Sequence, residues 1–79
     1  MSPTVFSKGP YRFYFFSREE ERPHVHVTSA DGEAKFWLEP IIALADSTGL
    51  SKKQLATIQK TIVERYHEIR GAWKKHFGR

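Results

Sequence analysis

The chain contains no cysteine. That excludes a disulfide framework and a thiolate zinc site, and leaves His, Asp and Glu as the protein ligands any metal would need. A reducing compartment fits such a composition. Long apolar runs are missing too, and none approaches the roughly 18 to 20 residues needed to span a bilayer. The start, Met1-Ser-Pro-Thr-Val, has no basic segment leading into an apolar one. A cytoplasmic protein with no membrane partner is expected. Internal repeats and low-complexity segments are absent. An excess of acid is absent as well: 13 Lys and Arg stand against nine Asp and Glu, a net charge of +4. That balance favours polyanionic partners such as RNA, DNA or an acidic protein.

Seventy-nine residues suffice for one small domain, and a single domain is expected. The predicted organisation is a β-sheet over 4–39, a connector over 40–50 and a C-terminal helix over 51–77. This is an α+β chain: a small antiparallel meander of about four strands, followed by one long helix packed on one face. Phe6, the turn Ser7-Lys8-Gly9-Pro10 and the aromatic run Tyr11-Arg-Phe-Tyr-Phe-Phe16 predict a first hairpin. The charged segment Ser17 to Arg22 reads as a solvated loop.

Pro23-His24-Val25-His26-Val27 is the most informative stretch, because strand side chains alternate between faces. His24 and His26 therefore share one face, and Val25 and Val27 the other. Asp31-Gly32 lies between two alternating runs and predicts a hairpin. With those two as its loop, Thr28 stands opposite Lys35, His26 opposite Trp37 and His24 opposite Glu39. A slip by an even count would change these partners but keep the faces. Val25, Val27, Phe36 and Leu38 form the core face; His24, His26, Lys35 and Trp37 lie opposite. Ile41 to Leu44 reads equally as an edge strand or a crossing turn.

The helix start is marked by Ser51 and Gln54, a capping box, with Leu50 placed to staple onto Leu55. Leu55, Ile58, Ile62, Tyr66, Ile69, Trp73 and Phe77 recur at intervals of three and four as one apolar stripe. Gly71 within that helix suggests close approach of another backbone. Lys53, Lys60, His67 and Lys74 form a second, basic stripe. Lys52 and Lys53 oppose the helix dipole in the first turn, which suggests an anion held there.

Two imidazoles on a wet sheet face are able to share general acid and base work. Lys35 and Arg12 would offset charge on a phosphate, and Trp37 and Tyr14 would offer faces for bases. These parts suit RNA cleavage by attack of its own 2′-hydroxyl, with no metal or other cofactor. A two-His, one-carboxylate metal site using Glu39 or one of Glu19 to Glu21 is a competing reading. A structural role for the pair is a third. Phe13, Phe15 and Phe16 cannot all face inward, so some aromatic surface is left for a partner.

Taken together, Tyr11-Arg-Phe-Tyr-Phe15, Pro23-His-Val-His-Val27, Glu33-Ala-Lys-Phe-Trp-Leu38 and the ending Ala72-Trp73 and His76-Phe77 resemble a small bacterial family of unknown function. Its members are often encoded beside another short reading frame and are grouped with toxin-antitoxin components. The resemblance implies a ββββα-like fold and a cognate partner protein from a neighbouring gene, and only His24 and His26 map onto its His-x-His. With that likeness, the function expected is a toxin-antitoxin component that cleaves RNA through His24 and His26. The alternative is a non-catalytic module that binds its partner protein or a nucleic acid. Whether the chain forms a homodimer is left open.

Overall fold

The computed structural model describes residues 4–16 and 22–78. Five strands, β1 (Thr4–Lys8), β2 (Tyr11–Tyr14), β3 (His24–Thr28), β4 (Glu33–Trp37) and β5 (Ala43–Thr48), form one antiparallel sheet in sequence order. Two helices follow, α1 (Lys52–Glu64) and α2 (Tyr66–Phe77). The α+β class and the meander stand; the strand and helix counts do not. The fifth strand occupies most of the expected connector, and the helix is broken at Arg65.

The fifth strand has a physical reason. Phe36 and Leu38 are fully buried, so an unpaired outer edge on β4 would leave amides and carbonyls beside the core without partners. Pairing from Glu33 opposite Thr48 to Trp37 opposite Ala43 removes that cost. The register jumps between Lys35 opposite Asp46 and Phe36 opposite Leu44, so Ala45 is the extra residue of a bulge. That bulge puts Asp46 on the sheet face that carries Lys35.

The helix break follows from local bonding. The hydroxyls of Thr57 and Thr61 donate to the carbonyls of Lys53 and Thr57, back-bonding of a kind that bends helices. Arg65 leaves helical geometry at φ −114° and ψ 25°. Its guanidinium lies 3.6 Å over the Phe6 ring and makes two 2.9 Å bonds to Glu68. The apolar stripe keeps its phase through the break, with Ile58, Ile62, Ile69 and Trp73 fully buried against the sheet.

Phe13, Phe15, Val25, Val27, Ala34, Phe36 and Leu38 supply the sheet side of the core. Phe16 alternates outward and is 45% exposed. The β3–β4 turn is centred one residue earlier than Asp31-Gly32: the amide of Ser29 donates to the carbonyl of Gly32 at 2.9 Å, with Ala30 and Asp31 between them. The register therefore slides by two, setting His24 opposite Trp37 and His26 opposite Lys35. An even slide leaves every residue on its expected face.

Two glycines lock this loop to the start of α1. A Cβ on Gly32 would lie 2.0 Å from the Thr48 carbonyl oxygen, and one on Gly49, at φ +80°, 2.3 Å from that of Asp31. Only glycine permits so close a crossing of two turns. The capping box of Ser51 and Gln54 is present, and Gln54 Nε2 also donates to Asp31 Oδ2 at 2.9 Å. Gly71 corrects an expectation, since a Cβ there would meet nothing within 4 Å. No helix among the described residues is long and apolar enough to cross a membrane.

Candidate functional site

Antiparallel pairing carries Tyr14, His26, Lys35 and Asp46 across four strands as one row. A parallel row runs Arg12, Thr28, Glu33 and Thr48. Both rows lie on the face away from the helices, because Phe13, Val25, Val27, Ala34 and Phe36 alternate into the core. A shallow concavity of about 230 Å³ lies here, bordered by Tyr14, Phe16, His26, Lys35, Asp46 and Ser47 among others.

The two histidines have different surroundings. His26 is half-buried, stacked on Tyr14 with ring centroids 5.5 Å apart, and 4.2 Å from the Phe16 ring. His24 is fully buried, its ring 5.6 Å from Trp37 and 5.3 Å from Trp73 of α2. Its Nδ1–H donates to the Arg22 carbonyl at 2.8 Å, since a carbonyl can only accept. The expectation of two histidines on a wet face is therefore met by His26 alone. His24 is sealed because α2 brings Trp73 over the start of β3. The two rings still meet edge to face at 5.0 Å.

The remaining predicted residues divide in the same way. Tyr14 is 8% exposed, covered by Arg12 at 4.5 Å and by His26. Arg12 Nε also donates to the Thr4 hydroxyl at 2.8 Å. Trp37 carries two cations over its ring, Arg22 at 4.1 Å and Lys35 at 4.5 Å. Tyr14, His26 and Lys35 converge on the concavity; Arg12, His24 and Trp37 do not border it. Arg22 also donates from Nε to the Glu39 carbonyl at 2.9 Å, closing the entry to β3.

Sequence reasoning missed the acidic end of the site. Asp46 stands directly across from Lys35, yet Lys35 leans toward Trp37, and among the described residues Asp46 makes no ion pair. Its Oδ1 accepts from the Ser47 amide at 2.9 Å. Glu33, Ser47 and Thr48 complete that rim. The apolar run Ile41 to Leu44 left an edge strand open, but Ala45, Asp46 and Ser47 are poor strand formers and gave no sign that the pairing continues through them.

Glu39, the proposed third metal ligand, is paired with Arg70 instead. Glu19 to Glu21 lie outside the described residues. Among the described residues no three His, Asp or Glu side chains converge as a set that could hold a metal ion.

A family model described as a domain of unknown function, DUF4160, matches residues 11–74. The chain belongs to the DUF4160 family. The matched span of this DUF4160 chain holds β2 to β5, α1 and most of α2, and so the whole concavity. No curated protein and no solved structure shows significant similarity to it.

Proposed function

We propose that this DUF4160 chain is a toxin-antitoxin component whose open sheet face binds and cleaves RNA. The observation that carries the reading is the row Tyr14, His26 and Lys35 in one concavity. It joins a titratable imidazole to a cation on neighbouring strands. In this reading the neutral His26 imidazole takes the proton of a ribose 2′-hydroxyl. The 2′-oxygen attacks the adjacent phosphorus, and the bond to the 5′-oxygen breaks. Lys35 offsets the charge on the phosphorane and gives the leaving 5′-oxygen its proton, which it regains from solvent. The products are a 2′,3′-cyclic phosphate and a free 5′-hydroxyl. His24 acts only by holding His26 and Trp37 in place.

The test is induced expression of wild-type protein and of His26→Ala, each alone and beside the neighbouring gene. Growth arrest and RNA cleavage by the wild type, relieved by the neighbour and lost in His26→Ala with the fold retained, are expected. Full toxicity of His26→Ala would sink the catalytic role.

A second reading draws on one observation: the rings of Tyr14 and Trp37 are covered by the chain's own cations and are structural supports more than stacking platforms. A non-catalytic module binding a partner through Phe16 and the basic helix stripe accommodates that. Under it, His26→Ala leaves function intact while Lys60→Ala with Lys74→Ala impairs binding.

A further inference from the structure

The concavity is electrically divided. His26 on β3 and Lys35 on β4 occupy its middle, with Glu33 two residues before Lys35 on the same strand, whereas Asp46 stands on β5 with Ser47 and Thr48. Carboxylates repel phosphate, so a strand of RNA cannot lie with its backbone along the whole row. The carboxylate of Asp46 accepts one amide on Oδ1, and its remaining lone pairs face solvent, where the donors of a ligand can reach them. Asp46 is exposed, and its cross-strand cation leans toward Trp37.

We propose that this end of the site is a base pocket selective for guanine. Guanine offers two adjacent donors, N1–H and the N2 amine, to a single carboxylate. Adenine and cytosine each offer one exocyclic amine beside an acceptor, and uracil one N–H flanked by two carbonyls that a carboxylate repels. Single-stranded bases are read on this edge when they are splayed from the strand. The spacing suits a purine: His26 and Asp46 are two strand spacings apart, about 10 Å. That is roughly a bicyclic base lying over the Lys35 stem plus one hydrogen bond.

The inference rests on the reading of this face as an RNA site and adds a position for the cut. A guanine on Asp46 directs its ribose toward His26. The phosphodiester on the 3′ side of that guanosine is then the one attacked by its own 2′-oxygen, with the proton transfers already given.

The experiment titrates the full chain, labelled with nitrogen-15, with each of the four 3′-mononucleotides and follows backbone amides. Guanosine 3′-phosphate is expected to bind tighter than the other three by about tenfold or more, the scale of one good bidentate base contact. The shifts should centre on Ser47 and Thr48. Asp46→Asn, an exposed change that keeps the shape of the side chain, should erase that preference. Equal affinity for all four nucleotides, a preference surviving in Asp46→Asn, or shifts centred elsewhere would each overturn the proposal. A parallel assay on oligoribonucleotides with and without guanosine separates the two readings. Selective binding without cleavage supports the pocket and removes the cleavage reading; cleavage with no preference for guanosine removes the pocket alone.

Discussion

Two histidines two residues apart differ here in what a substitution should cost. His24 is fully enclosed and hydrogen-bonded to the Arg22 carbonyl, so His24→Ala should destabilise the fold by about 2 kcal/mol or more through a cavity and a lost partner. His26 is half-buried on the open face, and His26→Ala should change stability by about 1 kcal/mol or less. Urea unfolding of the two variants measures the difference. Equal losses would mean that His26 is as structural as His24. Strand alternation, legible in Pro23 to Val27, identified the face correctly. It had no means of showing that Trp73, about fifty positions along the chain, covers one of the pair.

At the scale of elements, the sequence was most legible where several signals agreed. The capping box at Ser51 and the core assignments of Val25, Val27, Phe36 and Leu38 are all found in place. Three features had no such support. Residues 45–48 pair because β4 needs a neighbour, a demand of tertiary structure that carries the edge strand left open at Ile41 to Leu44 on through Asp46. The break at Arg65 hides within an apolar stripe that continues across it unchanged. The register slid by two because Ser29 bonds Gly32 and centres the turn on Ala30 and Asp31, one residue earlier. Two glycines give opposite expectations. Gly71→Ala should raise stability by about 0.5–1 kcal/mol, since its Cβ meets nothing and glycine weakens a helix. Gly32→Ala should lower it, since its Cβ would collide with the Thr48 carbonyl. Chemical denaturation midpoints of both variants check the pair.

For the whole molecule, a net charge of +4 goes with two separate cationic features, the middle of the sheet face and the Lys53, Lys60, His67 and Lys74 stripe of the helices. Salt dependence tells them apart. With Lys35 as the phosphate contact in the concavity, the affinity for single-stranded RNA should fall with a log–log slope of about −0.7. Lys60→Ala with Lys74→Ala should leave that slope unchanged; a shallower slope in this variant would move the nucleic-acid surface to the helices. The crossed turns at Gly32 and Gly49 bear on the same question from another side. Asp46 is carried on a short outer strand of weak intrinsic preference, yet that strand runs directly into the clasp formed by Asp31, Gly49 and Gln54. The start of a helix on one layer thus acts as the mount for a carboxylate on the far face of the other. In the proposed guanine pocket, selectivity at the rim then depends in part on Gly32, Gly49 and Gln54, which lie in the clasp and not in the lining.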